Sequence, residues 1–459
     1  MLFTSLYYPI FLLVSAILYY RFSIRHRVLF CLAASLFYYA CFGLQYIPFL
    51  FYAAIFSWCS ALWLKQHPKR PYLALFILLL LLPLFFFKYL GFTLHLLRPV
   101  FSFLPPAAFS FAAPIGISFF TFQCIAYVAD VYQGKIQPES QLIQYLSFVC
   151  FFPQLTSGPI SRAGALLPQF KNPSRYSLSN IQEGTALLLW GYFEKLMIAD
   201  RIAVYTNPVF SGWQRASGQQ LLLAVLLYAI QIYTDFSGYS HLAIGSARMF
   251  GICLPDNFRQ PYLAVSVQDF WRRWHISLSA WFRDYLYIPL GGSRKGLLRK
   301  YLNLCLVFLL SGLWHGAALT FIVWGGLNAI YQILESFLPL SALPKFLRRC
   351  ITFILIAVSW VFFRMNSCSS ALQALIRIPR HFFSGWMEVD FSVPQQAILL
   401  ISLLILLMVD LLHENGKALL PPTSKIWRRG LIVLCLFGAV LTFGIWGQYT
   451  QQAFIYFQF

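Results

Sequence analysis

Long apolar runs interrupted by few charges are the feature that most restricts how this chain can fold. Between Arg70 and Lys88 the sequence carries no charged residue, and comparable runs recur almost from end to end. A helix that crosses a bilayer needs about 20 largely apolar residues, and it satisfies its own backbone hydrogen bonds there. Hydrophobic residues make up 59% of the chain, above the ~45–50% typical of soluble domains. The sequence therefore predicts an all-α, polytopic membrane protein.

About eleven segments qualify as membrane-spanning helices. They are Leu6–Tyr20, Val28–Phe42, Ile47–Leu64, Tyr72–Phe92, Ile181–Tyr205, Leu221–Tyr233, Leu302–Leu319, Phe321–Phe337, Ile351–Phe363, Ala397–Leu412 and Leu431–Trp446. The first of them has no basic residue before it, so we expect it to be a span and not a cleaved signal peptide.

Basic residues cluster between these spans, as they do in cytoplasmic loops. The clusters are Arg21-Arg25-Arg27, Lys65-Lys69-Arg70, Arg294-Lys295-Arg299-Lys300, Lys345-Arg348-Arg349 and Lys425-Arg428-Arg429. Their positions predict that both the N-terminus and the C-terminus face away from the cytoplasm. The net charge of +20 is distributed over these loops, and this pattern argues against nucleic-acid binding.

The region from Leu97 to Ser161 differs from the predicted spans in sequence, because prolines and glycines interrupt its apolar segments. Ile115–Tyr127 and Leu142–Phe152 are too short to span cleanly. We expect re-entrant helices lining an internal chamber, since broken backbone at membrane depth must be covered by protein or water. A pair of interfacial helices is the alternative. No soluble domain or linker is evident, so residues 1–459 are predicted to form one domain.

Signals for metal or nucleotide chemistry are missing from the sequence. The ten cysteines are scattered, without a C-x-x-C pair, and predict neither a disulfide framework nor a metal site. Neither a P-loop nor a dinucleotide-binding glycine pattern occurs. We therefore expect no metal and no permanently bound cofactor.

Ionisable residues crowd the stretch from Tyr233 to Gly292, where such groups near bilayer depth are costly. Asp235 is expected where a span ends, either orienting a catalytic base or capping a helix that begins at about Ser237. Glu194 and Lys195 lie near the end of another span. They are adjacent and need not pair with each other, and we expect both to snorkel to the interface.

An aromatic helix is predicted from Ser266, a helix-start residue, to Tyr285. Helical spacing places Trp271, His275 and Leu278 on one side, and Phe282 continues that stripe. Such a helix would lie near the cytoplasmic interface.

Two neighbouring arginines, Arg272 and Arg273, belong to the same predicted helix, with Asp269 within range of both. They fit two roles equally well. One is contact with lipid headgroups, and the other is contact with the phosphates of a donor that carries a nucleotide or a phosphopantetheine.

His315 is the leading candidate for chemistry. It lies in Ser311-Gly312-Leu313-Trp314-His315-Gly316, inside an apolar span, with glycines that allow a substrate or backbone to approach. A membrane histidine can simply bond a neighbouring helix. An imidazole can also take a proton at neutral pH, as activation of a hydroxyl requires.

Several motifs together carry a resemblance to a known family. They are Pro83-Leu84-Phe85-Phe86-Phe87-Lys88-Tyr89, Pro114-Ile115-Gly116-Ile117-Ser118-Phe119-Phe120-Thr121-Phe122, Phe152-Pro153-Gln154-Leu155-Thr156-Ser157-Gly158-Pro159-Ile160, Asp235-Phe236-Ser237-Gly238-Tyr239, the Trp-His run at 271–285, Trp314-His315-Gly316 and the closing Phe454-Ile455-Tyr456-Phe457-Gln458-Phe459. The chain resembles the membrane-bound O-acyltransferase (MBOAT) family, in particular its bacterial branch of alginate and peptidoglycan O-acetyltransferase membrane subunits.

This resemblance implies helices ringed around a central funnel in a bacterial inner membrane. It implies that His315 is the essential histidine and His275 the second one. Members of this kind take an acyl group from a cytoplasmic thioester and pass it outward, commonly to a partner protein that acylates a polysaccharide. Seven further residues are candidates for lining a donor or acceptor tunnel: Asp235, Asn257, Trp271, Arg272, Arg273, Trp274 and Trp314.

The sequence thus predicts a membrane O-acetyltransferase with His315 as catalytic base or acyl relay and His275 in a supporting role. The expected donor is acetyl-coenzyme A or an acyl carrier protein thioester, and the expected final acceptor is an exported polysaccharide, peptidoglycan ahead of alginate. A transporter is one alternative, but it should show related broken helices in two halves. A scaffold that only recruits an extracytoplasmic transferase is another.

Overall fold

A computed structural model describes residues 1–101, 112–339, 342–417 and 426–446. Within them the chain forms helices, turns and loops, without a strand. The α-helices are α1 Tyr7–Arg21, α2 Ile24–Ala40, α3 Ile47–Gln66, α4 Arg70–Leu84, α5 Leu90–Leu97, α6 Ile117–Tyr132, α7 Leu142–Cys150, α8 Phe152–Leu155, α9 Ala163–Lys171, α10 Leu178–Tyr192, α11 Asp200–Ser211, α12 Gly218–Met249, α13 Val267–Arg273, α14 Ile276–Phe282, α15 Leu297–His315, α16 Leu319–Glu335, α17 Lys345–Arg364, α18 Cys368–Arg380, α19 Val393–Glu414 and α20 Ile426–Phe443.

The predicted all-α class is confirmed. Each of the predicted spans overlaps a helix, although Leu302–Leu319 runs past the end of α15 at His315. Six helical stretches of the described chain are long and apolar enough to cross a membrane: Leu44–Gln66, Arg70–Leu97, Gly218–Met249, Leu297–His315, Lys345–Arg364 and Val393–Glu414. The second of them contains Pro83 and continues through a π-helical turn at Phe85–Tyr89 into α5. A proline removes a backbone donor, and a membrane helix accommodates it by such local adjustments.

The chain divides into two compact units. The first comprises Met1–Leu188 and Leu242–Pro255, and the second Leu189–His241 and Asp256–Phe459. The prediction of a single domain over 1–459 therefore stays a prediction. The described residues do not include the closing Phe454–Phe459 motif, the C-terminus whose location was predicted, or the side chains of Arg428 and Arg429.

In the first unit, the helix α6 of the proline-interrupted region is covered by protein. α6 packs against α3 and α4, and its residues from Phe119 to Val131 are all buried. An interfacial helix would instead keep an exposed polar face. Such complete covering is what broken backbone at membrane depth requires, so it favours the chamber-lining interpretation.

In the second unit, the prediction that a span ends near Asp235 is wrong. α12 runs without a break from Gly218 to Met249, so Asp235 lies in a helix interior and caps nothing. The polar side chains in this stretch find partners within the protein: the Ser237 hydroxyl donates to the Glu194 carboxylate at 2.8 Å. Because these polar groups form hydrogen bonds inside the unit, the helix can continue through this stretch.

Glu194 and Lys195 do not snorkel, contrary to prediction. They lie in a π-helical segment, Phe193–Ala199, between α10 and α11, and their exposures are only 1% and 2%. Lys195 Nζ lies 2.6 Å from the Asp235 carboxylate and 2.8 Å from the Asp200 carboxylate. Partners within the protein take the place of water around these charged groups, because a buried charge is stable only when it is paired.

The predicted aromatic helix from Ser266 is two short helices, α13 and α14, followed by a π-helical turn at Arg283–Tyr287. Its predicted start is confirmed, since the Ser266 hydroxyl accepts the Asp269 backbone N–H at 2.9 Å. The helix breaks at His275, which has a left-handed backbone with φ of 44°. Bonds from a neighbouring loop impose this break, as described below.

Candidate active site

His315 was predicted to lie inside the span Leu302–Leu319. It is the last residue of α15, because the backbone turns extended at Gly316. Its ring is enclosed by aromatic side chains and is only 3% exposed. Ring centroids lie 4.9 Å away for Trp314, 5.1 Å for Trp324 and 5.5 Å for Phe363. These rings give His315 an apolar setting that limits access of water.

Glycines allow α15 and α16 to approach closely just before His315. A Cβ on Gly312 would lie 2.2 Å from the Phe321 carbonyl oxygen, and one on Gly325 would lie 2.2 Å from the Phe308 carbonyl oxygen. Small residues at helix crossings permit this kind of contact in membrane proteins. The backbone of α16 therefore fixes the end of α15, where His315 lies.

We expect Gly325→Ala to destabilise the protein by about 1–3 kcal/mol, because its methyl group meets a backbone carbonyl that cannot rotate away. The adjacent Gly326→Ala is a matched control. A Cβ there meets only a Leu309 methyl group at 3.7 Å, and alanine favours the helix. Thermal unfolding in detergent measures both. Equal midpoints for the two variants would contradict the tight crossing.

His275 lies between α13 and α14 and is 1% exposed. Its ring centroid is 4.6 Å from that of Phe236, 6.1 Å from that of Trp314 and 6.5 Å from that of His315. Burial lowers the pKa of His275 to about 3, because desolvation disfavours the charged imidazolium. The ring is therefore neutral at physiological pH.

Both histidines line one cavity of about 650 Å³. The cavity follows α15 from Lys300 to His315, about 22 Å at the helical rise of 1.5 Å per residue. The predicted stripe of Trp271, His275, Leu278 and Phe282 also lines the cavity, even though the helix that carries it is broken. The structure thus brings His275, His315, Trp271 and Arg272 to one cavity.

Other predicted residues contact this region without lining the cavity. The Asn257 side chain bonds to His275 and Ser277, and Trp314 packs edge-on against both histidine rings. Trp271, on the cavity wall, donates its indole N–H to Asn328 at 3.1 Å.

Three predicted tunnel residues lie elsewhere in the second unit. Asp235 pairs with Lys195. Arg273 pairs with Asp269 at 3.0 Å and with Glu414 at 2.6 Å. Trp274 packs among aromatic rings that include Phe258, Phe270 and Trp360. The two neighbouring arginines therefore differ: Arg272 is exposed on the cavity, while Arg273 holds α13 to α19.

Comparison with known proteins decides the family. The model of the membrane-bound O-acyltransferase (MBOAT) family matches residues 132–372. A probable alginate O-acetylase AlgI from Pseudomonas putida is 34% identical, over 100% of this chain and 99% of that protein. The chain belongs to the MBOAT family. It is therefore a multi-pass membrane O-acyltransferase.

Two further relatives of this MBOAT protein carry names that refer to different polysaccharides. A probable alginate O-acetylase AlgI from Pseudomonas aeruginosa is 37% identical over 83% of this chain and 74% of that protein. A peptidoglycan O-acetyltransferase from Helicobacter pylori is 38% identical over 74% of this chain and 72% of that protein. Both curated names describe O-acetylation.

Sequence reasoning missed several cavity residues of this MBOAT chain as site residues. Lys300 was part of a basic cluster that marks a cytoplasmic loop, and Arg283 was one of several charges in a crowded stretch. Glu335 ends α16 without a motif, yet its carboxylate accepts the backbone N–H groups of Val267 at 2.7 Å and Gln268 at 3.3 Å. Gln268 and Glu335 lie 67 residues apart along the chain. Only their proximity in the fold identifies Glu335 as a residue of this site.

Proposed function

We propose that this protein transfers acetyl from a cytoplasmic thioester to an exported polysaccharide, through a partner transferase on the other side of a bacterial inner membrane. The observation that carries the proposal is the pair of buried histidines on one cavity that three cationic side chains also line. Acetyl is the acyl group named for its relatives AlgI and peptidoglycan O-acetyltransferase.

The chemistry needs a proton acceptor and an enclosed, apolar reaction site. When the acceptor hydroxyl attacks the thioester carbonyl, a C–O bond forms and the C–S bond breaks. The hydroxyl proton passes to an imidazole and then to the departing thiolate, so no proton is gained or lost. Such general base catalysis contributes about 10²–10⁴-fold. The aromatic rings around His315 limit the competing hydrolysis of the thioester.

Positive side chains that line the cavity support an anionic donor. Arg272, Arg283 and Lys300 line it, and guanidinium and ammonium groups bind phosphates. Both coenzyme A and an acyl carrier protein present a phosphopantetheine arm that reaches from a phosphate to a thioester. The length of the cavity between Lys300 and His315 suits such an extended arm.

We expect the triple variant Arg272→Gln, Arg283→Gln, Lys300→Gln to raise KM for the thioester donor about tenfold or more, with a smaller change in kcat. Loss of charge-assisted contacts to phosphate weakens binding of the donor, not the acyl chemistry. Donor titrations with acetyl-coenzyme A, and separately with an acetylated carrier protein, measure this effect and identify the preferred donor.

A matched control removes the same number of positive charges from the same region. Arg294, Lys295 and Arg299 are exposed on the loop and first turn before Lys300 and lie outside the cavity lining. Their conversion to Gln should leave KM within about twofold, since exposed charges are screened. Equal effects of the two triple variants would argue against a specific phosphate site.

The acceptor is tested in cells that lack the gene for this protein. We expect O-acetyl esters to disappear from one exported polysaccharide and to return on expression of the wild-type chain. Ester analysis of peptidoglycan and of alginate or other exported glycans identifies which one. If ester content is unchanged in every glycan, the proposed function fails. Reporter fusions at the N-terminus test its predicted extracytoplasmic location.

A further inference from the structure

The backbone break at His275 is held by a loop centred on Asn257. The Asn257 carbonyl accepts the Ile276 backbone N–H, and the Arg259 N–H donates to the Arg273 carbonyl, each at 2.9 Å. A non-glycine residue in the left-handed region, as His275 is, costs about 1–2 kcal/mol and persists where surrounding structure imposes it. The Asn257 loop therefore sets where the His275 ring is presented.

The Asn257 side chain is oriented without ambiguity. Its Oδ1 lies 2.7 Å from the Ser277 hydroxyl and 3.3 Å from the Ser277 backbone N–H, while its Nδ2 lies 3.3 Å from the Ser240 hydroxyl. A backbone N–H can only donate, so the atom facing it must be the amide oxygen. This bond settles which way the amide points, a choice that otherwise depends on the surrounding network.

That orientation determines the tautomer of His275. Its Nδ1 lies 3.3 Å from the same Asn257 oxygen. An amide oxygen carries no proton and can only accept, so Nδ1 must be the protonated nitrogen. A neutral imidazole has a single N–H, which leaves Nε2 with its lone pair.

We propose that Asn257 is a positioning residue that fixes His275 in the Nδ1-protonated tautomer, so that Nε2 of His275 accepts a hydrogen bond from a bound substrate. As the C–O bond forms and the C–S bond breaks, the hydroxyl proton moves to His315 and then to the leaving thiolate. The centroid of the His315 ring lies 6.5 Å from that of His275. The inference rests on the proposed function in assigning His275 to acyl transfer.

The tautomer is measured directly by ¹⁵N NMR of protein with labelled histidines in nanodiscs, with the His275 signals assigned by difference from His275→Gln. We expect a one-bond proton coupling at Nδ1 and none at Nε2. In Asn257→Leu, whose side chain is of similar size without an acceptor, the preference for Nδ1 should be lost. In Asn257→Asp it should return, because a carboxylate also only accepts.

Acetyl-transfer kinetics provide the second readout. Asn257→Leu should lower kcat by about 10- to 100-fold, the size expected when a histidine loses its orienting partner, with little change in KM for the donor. Asn257→Asp should recover part of that loss. Asn172→Leu, at an exposed asparagine, is the matched control and should keep wild-type kcat.

Either of two results would overturn the proposal. One is a wild-type His275 protonated at Nε2. The other is an Asn257→Leu variant that folds normally and keeps kcat within twofold while His275→Ala is inactive. Failure of the proposed function would look different, since wild-type protein would then consume no thioester, whereas the NMR measurement needs no activity.

Discussion

His315→Ala should lower the rate of acetyl transfer by about 10²–10⁴-fold, the contribution of a positioned acid–base group. The loss should appear in kcat, because His315 is only 3% exposed and lies about 22 Å along α15 from Lys300, the cation of that helix that lines the cavity. Purified protein in nanodiscs, saturated with donor, gives this measurement. His275→Ala, on the same cavity, should also be strongly impaired.

Folding must be separated from chemistry in this test. Removal of the His315 ring leaves a hole beside Trp324 and Phe363, so His315→Phe is a second variant that retains a ring without a nitrogen. We expect it to fold and to be inactive. His67→Ala removes an exposed histidine and should keep wild-type rates. An active His315→Phe protein would show that His315 only packs against its neighbours.

Lys195→Met should destabilise the protein by about 3–5 kcal/mol, the largest stability effect that we predict. Lys195, Asp200 and Asp235 are each no more than 4% exposed, and the lysine is the cation paired with both carboxylates. Removing one partner of a buried ion pair leaves an uncompensated charge in a medium that solvates it poorly. Thermal unfolding in detergent measures the loss.

Two comparisons identify the cause of that loss. Lys195→Met combined with Asp200→Asn and Asp235→Asn removes all three charges and should recover most of the stability, since an uncharged core is often as stable as an ion pair. Lys135→Met disrupts a pair whose lysine is half-exposed and should cost less than about 1 kcal/mol. Similar losses for Lys195→Met and Lys135→Met would contradict the buried-triad explanation.

Local features of the sequence were sufficient to predict the fold class and much of the cavity wall. Apolar runs mark helices because hydrocarbon leaves the backbone no other partner. Spacing of three and four residues grouped Trp271, His275, Leu278 and Phe282, and all four line the cavity. These predictions depend on neighbours along the chain, which a sequence displays directly.

Features that depend on distant residues were missed. The sequence next to Trp274 and His275 contains no helix-breaking residue. The hydrogen bonds that hold the break come from Asn257 and Arg259, which lie earlier in the chain. The partner of Lys195 lies 40 residues away on α12, so the same charges looked like the end of a span. Arg272 and Arg273 could not be told apart because only the fold shows Glu414 beside the second.

The most direct test of acyl transfer by this chain is the fate of labelled acetyl presented to purified wild-type protein. Acetyl-coenzyme A and an acetylated carrier protein are supplied in turn, with and without candidate extracytoplasmic partners, and free thiol and label are followed together. We predict stoichiometric release of thiol and transfer of label, both lost in His315→Phe and His275→Ala. If wild-type protein consumes neither thioester under any of these conditions, acyl chemistry at the two-histidine cavity is contradicted.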